Sequence, residues 1–305
     1  MFLLASSLVL PFVARPLDQR AVDLLRRMGS IEFPQEYQAQ ILSHPDTQDA
    51  LEILLRDPRC RPAFVSRALF LISRMPAPPN RYRRPTLYRL TDTNDVVRSR
   101  ALQLLVQIGS PTDIVAIIPL LSDEGPSSRY GSAKTLSAIG DHRTVAVFDV
   151  WLAGISWEAY GTLYRKHVVE HRDLLIKSLA RDRIPHVSSP ADDAVRQMTN
   201  ADKAVRLAAV RRLAEIGTRA DLPPVAALLC DEDATVRKTA ADTMASIGGL
   251  RALIALDVWL MGPSWEWIRE DVRPHVRAAR DRLDARLSRE AGIIPVAPPP
   301  RLVRP

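Results

Sequence analysis

Glycine, cysteine and lysine are all scarce in this chain. Twelve glycines in 305 residues form no phosphate-binding loop, and no G-x-S-x-G nucleophile turn is present. Sparse glycine, with only 6% aromatic residues, disfavours β-sandwiches and suits helices. The two cysteines, Cys60 and Cys230, have neither metal nor redox spacing and read as unpaired packing residues. Only five of the 42 basic residues are lysines, so the formal net charge of +7 is carried almost wholly by arginine. Such an excess favours an acidic partner without naming one.

Long apolar runs are lacking too, except at Met1 to Ala14. That stretch is too short for a membrane span, so no integral membrane association is expected. Its length fits either the core of an export signal or a buried N-terminal helix. No basic residue precedes it, and Phe12-Val13-Ala14 does not offer small residues at both cleavage-determining positions, which favours the cytoplasm over export.

What is present is repetition. An offset of 108 residues carries Val97-Arg98 onto Val205-Arg206 and Ile108-Gly109 onto Ile216-Gly217. The same offset carries Asp149-Val150-Trp151-Leu152 onto Asp257-Val258-Trp259-Leu260, and Ser156-Trp157-Glu158 onto Ser264-Trp265-Glu266. Inside each copy a period of 31 residues takes Arg98 and Gly109 to Arg129 and Gly140, and Arg206 and Gly217 to Arg237 and Gly248. A unit of that length accommodates two short helices and two turns.

Val97, Ala101, Leu105 and Ile108 share one helical face. Gly109 is expected to end that helix in a left-handed conformation, as Gly140, Gly217 and Gly248 would end theirs. Ser110 and Asp113 restart the chain, and Ile114, Ile117, Leu120 and Leu121 form the stripe of the next helix. Hairpins of this kind become stable by stacking.

The pattern resembles the HEAT-like repeat family, in the short variety found in phycobilisome bilin lyases. The likeness rests on Asp-Glu-Asp-Ala-Thr-Val-Arg at 231–237, Ala240-Ala241 and Ser246-Ile247-Gly248. It implies an all-α fold, a right-handed α-solenoid of stacked helical hairpins with an internal duplication of about 108 residues. Residues 1–80 read as a degenerate helical region, 86–180 and 194–288 as the two copies, and 289–305 as a Pro-rich, disordered tail. Met75 to Pro85 reads as a separator and Arg183 to Pro190 as a loop. Ser156 and Ser264 read as caps of two long helices.

Several residues invite a functional reading. By resemblance, the helices that carry Val-Arg line a concave side, whose outward positions include Arg100, Tyr130, Lys134, Arg211 and Lys238. Glu215 and Asp242 interrupt this mildly basic set. Trp267 has no counterpart in the first copy and is a further candidate for recognition. Trp151 and Trp259 fall at leucine positions and belong to the core, whereas Trp157 and Trp265 sit at helix starts.

Arg98, Arg129, Arg206 and Arg237 are repeat positions, expected to bond turn residues such as Asn94, Asp202 and Asp233 in a ladder. His167-Val168-Val169-Glu170-His171 matches an H-x-x-E-H zinc pattern. It has no third ligand, and its second histidine is Ala279 in the other copy, so it reads as two partly exposed histidines. No cofactor, metal or catalytic residue is implied.

Three functions compete, the last and least favoured being a subunit resembling the bilin lyases, which rests on fold analogy alone. The first is a non-catalytic scaffold that binds a protein or peptide along its concave face. The second is a nucleic-acid binder resembling the alkylpurine DNA glycosylases built from HEAT-like repeats. That resemblance implies a basic cleft with tryptophans and an acidic residue.

Overall fold

The computed structural model describes Leu42 and residues 45–154, 161–182, 190–261 and 272–291. Among these residues the chain is helical and contains no strand. It opens with α1 (Pro45–Arg56), α2 (Pro62–Ser73) and the short α3 (Arg83–Tyr88). Next come α4 (Asp95–Ile108), the one-turn α5 (Ile114–Ile117), α6 (Pro126–Ile139), α7 (His142–Gly154) and the long α8 (Thr162–Arg181). After α9 (Asp192–Gln197), the order recurs as α10 (Lys203–Ile216), α11 (Leu222–Ala227), α12 (Ala234–Ile247), α13 (Leu250–Met261) and α14 (Arg273–Glu290).

The Val-Arg helices start at side-chain caps. Asn94 accepts from the Val96 and Val97 amides, Asp202 from Ala204, and Asp233 from Thr235 and Val236. Each cap satisfies donors that the first helical turn leaves without a partner. Val97, Ala101, Leu102, Leu104 and Leu105 form the buried face of α4. Val236, Ala240, Ala241, Met244 and Ala245 do the same for α12.

The glycines that end these helices are not left-handed. Gly109, Gly140, Gly217 and Gly248 have φ between −73° and −76° with extended ψ. Their requirement is steric instead: a Cβ on any of them would run into the carbonyl oxygen four residues earlier, at Leu105, Leu136, Leu213 and Met244 respectively. Among the described glycines only Gly161, just before α8, has a positive φ, of 80°.

The stretch around Met75 to Pro85 is not a separator. It passes through a 3-10 turn (Asn80–Tyr82) into α3, where Pro85 is buried. Helices α1 and α2 continue the stack, α2 packing directly on α4. The long helix α8 begins at Thr162. Ser156, Trp157, Ser264, Trp265 and Trp267 lie outside the described residues, as do 1–41, 183–189 and 292–305.

Helices α2, α4, α6 and α8 lie side by side as one layer, and α9, α10, α12 and α14 as another. Between the layers run the partner helices, and they pair across the two halves of the chain. Helix α7 packs on α11, and α13 packs on α5. In α13, Ala252 to Val258 and then Trp259 are all buried. A helix buried on most sides has to be covered on most sides, and α14 of its own half and α5 of the opposite half do this together. The layering also explains why Ile114 to Leu121 and Leu222 to Leu229 are buried without a break.

Candidate interaction faces

The repeat arginines are structural. Arg98 donates to Asp123 Oδ1 at 2.5 Å and to the Asp92 carbonyl. Arg206 binds both oxygens of Asp231 at 2.8 and 2.9 Å and also reaches the carbonyls of Asn200 and Ala201. Arg129 donates to the carbonyls of Asp123 and Glu124, and Arg237 to those of Asp231 and Glu232. The ladder exists, but its acids are Asp123 and Asp231 in the following unit. Asn94, Asp202 and Asp233 are occupied as helix caps. Burial pushes the Asp231 carboxyl above the usual range, and Arg206 works against that rise.

Trp151 and Trp259 are buried between layers. The Trp151 indole donates to Ser122 Oγ at 2.9 Å, and that of Trp259 to the Leu229 carbonyl at 2.8 Å. Cys60 and Cys230 are not joined in a disulfide, and both pack against the core.

The halves are tied at two equivalent points. Arg251 donates to Asp113 at 3.2 Å, and Arg143 approaches Asp221 at 3.5 Å. The 108-residue offset relates these pairs. It also relates Arg172–Asp149 at 2.5 Å and Arg280–Asp257 at 2.8 Å. Asp113 is wholly buried and also accepts from Arg83 at 2.6 Å and from the Ser110 amide.

Outside the partner helices lie two faces of Val-Arg helices, one in each half. Arg100, Tyr130 and Lys134 stand on the first face, and Arg211 and Lys238 on the second. The layering separates the two groups. Arg100 donates to Gln103 at 2.9 Å and stacks over the Phe70 ring, its guanidinium 5.0 Å from the ring centre.

Tyr130 anchors an aromatic cluster between α6 and α8. Its ring centre lies 4.5 Å from that of His167 and 5.2 Å from that of Tyr164. His167 in turn meets His171 edge-on at 4.5 Å. His171 Nδ1 is 2.8 Å from Ser137 Oγ. Burial, His167 and Lys134 hold the His171 imidazole below its ordinary pKa, with Glu170 opposing. The two histidines are partly exposed and line the wall between α6 and α8. No group of three or more His, Cys, Asp or Glu among the described residues could hold a metal.

On the second face the matching positions close on themselves. Asp242, which stands where the first face has Lys134, is 3.0 Å from His275 Nε2 and pairs with Arg282. Arg212 pairs with Glu215 at 3.2 Å. Sequence reasoning found Tyr130 and Lys134 but missed Leu163 and Leu174; for Leu174 the signal was the arginine, Arg282, at the matching position of α14.

Fold and faces together define an all-helical protein of stacked hairpins. HEAT repeats match residues 84–152 and 191–273, so the chain carries HEAT repeats in both halves. No curated protein matches it. No described helix is long and apolar enough to cross a membrane.

Proposed function

We propose that the chain is an internally duplicated HEAT-repeat scaffold that binds a protein or peptide partner on the outward faces of its Val-Arg helices. The observation that carries this reading is the layering. Partner helices of both halves are consumed against each other, which leaves the Val-Arg faces as broad surfaces for recognition. Extended surfaces of stacked hairpins suit protein partners.

The nucleic-acid alternative has less support. A phosphate track needs converging cations without internal partners. Many arginines here are committed within the protein, among them Arg83, Arg89, Arg98, Arg129, Arg206, Arg237 and Arg280.

A photo-crosslinking residue placed at Gln103 or at Arg211, in the full chain in its own cells, tests the scaffold reading. Discrete protein adducts from one of these sites, absent from a control position at exposed Arg59, are the expected result. Adducts to nucleic acid, or a pattern no different from Arg59, would overturn it. Anisotropy against labelled duplex and single-stranded DNA gives an independent check, and no salt-sensitive binding is expected.

A further inference from the structure

The two outward faces occupy equivalent places yet differ in chemistry, and the difference selects a partner. On the first face Leu163 is 73% exposed and Leu174 54%. They lie about three helical turns apart on one side of α8. Helix α8 is the last of its layer and packs only on α6 and α7 among its principal neighbours. The terminal helix of a repeat stack ordinarily turns a polar side outward. The last helix of the other layer, α14, does so: Arg282 stands where α8 has Leu174 and Asp284 where it has Ile176. Apolar side chains are therefore not needed at these positions for folding.

The charges differ in the same way. Lys134, Lys166 and Lys177 surround the first face and form no ion pair among the described residues. Arg100 has an amide and an aromatic ring for neighbours rather than a carboxylate. Glu170 is the exposed acid beside Leu163 and Leu174. On the second face Asp242 answers His275 and Arg282. The second face thus holds an acid that pairs with its own cations, whereas the first carries lysines without an ion pair around an aromatic and aliphatic floor.

We propose that the first face, with Tyr130 and His167 as its floor, Leu163 and Leu174 at one side and Lys134 and Lys166 around it, docks a short acidic peptide segment of a partner protein. The segment carries an aromatic or aliphatic side chain that covers the exposed leucines, while its carboxylates meet the lysines and Arg100. This assignment rests on the scaffold reading and narrows it to one face and one ligand chemistry. Apolar anchors supply most of the affinity in such contacts, and rim charges supply selectivity and association rate.

Selection of a random-peptide phage library on the full-length chain, followed by anisotropy with the selected peptides in labelled form, tests the assignment. Selected peptides rich in Asp or Glu with Phe, Tyr, Trp or Leu are expected, binding more weakly as salt rises. Two variants, Leu174→Arg and Lys134→Asp, copy the second face's own residue types into exposed positions of the first and so suit the fold. Each is expected to weaken binding by about five- to tenfold, with the thermal midpoint holding close to that of the parent, while Arg211→Glu leaves binding unchanged.

Basic or uncharged selected peptides would overturn the docking assignment, as would binding that responds to Arg211 and not to Leu174 and Lys134. Either result leaves the scaffold reading intact. If the library yields no binder and the chain instead binds DNA with steep salt dependence, both fall.

Discussion

Arg251 and Asp113 are 138 residues apart in sequence and meet at 3.2 Å across the middle of the molecule. Arg143 and Asp221 make the reciprocal contact at 3.5 Å. A contact in which i meets j while the equivalent of j meets the equivalent of i is the signature of an isologous interface. On the proposed reading of the chain as internally duplicated, it is made within one chain.

Asp113 is the more sensitive member of its pair. It is fully buried, with Arg83 and Arg251 both directed at it. Asp113→Ala is expected to cost about 1–3 kcal/mol, because it leaves the Ser110 amide and the Arg83 guanidinium without their acceptor. Arg251 is 41% exposed, so Arg251→Ala should cost less than about 1 kcal/mol. Urea unfolding of the two variants checks the ordering, and equal losses would contradict it.

The ladder offers a second test. Arg206 is bonded to Asp231 at both carboxylate oxygens and to two carbonyls. Arg206→Ala is expected to destabilise by about 3–5 kcal/mol. Lys203→Ala, which removes the exposed pair with Asp233, should change stability by no more than about 1 kcal/mol. Thermal unfolding of both variants in one buffer measures the contrast.

At Gly248 the cause of the glycine requirement can be separated from its effect. If the backbone were left-handed, asparagine would be tolerated better than alanine. With φ at −73° and a Cβ directed at the Met244 carbonyl and at Ala252, alanine and asparagine should be equally damaging. Overpacking of this kind costs about 1–3 kcal/mol. Melting temperatures of Gly248→Ala and Gly248→Asn decide between the two causes.

Acid should weaken the seam between α6 and α8. Burial beside His167 and Lys134 holds the His171 pKa below its ordinary value. The unfolded chain therefore takes up this proton at a higher pH than the folded one does. The stability that neutral His171 contributes is fully present above the ordinary histidine range and is lost as pH falls through the depressed folded value. The groups facing it are Lys134 and Ser137 on α6, and His167 and Glu170 on its own helix. His171→Gln should flatten this part of the stability profile, as read from thermal melts across the acid range.

The repeat was legible because Val97, Ala101, Leu105 and Gly109 recur at fixed intervals that stacking preserves. The ladder was legible as to its arginines but not its acids. Asn94 and Asp123 are both turn residues, and only geometry shows that the first is spent on helix amides and the second on a guanidinium. The meeting of the two halves left a trace in the continuous apolar runs of α5, α11 and α13, which a single-stripe reading of those helices passes over. The contact of Tyr130 with His167 joins neighbouring helices whose spacing departs from the 31-residue period, so periodicity does not encode it.

An open row of hairpins behaves as a spring, since each repeat touches only the next and small rotations add along its length. The back-to-back pairing of α7 with α11 and of α5 with α13 removes that freedom. The curvature of each outward face is clamped by the opposite half, so on the proposed scaffold reading a partner would meet a surface already set in its final form, with little ordering cost to the protein on association.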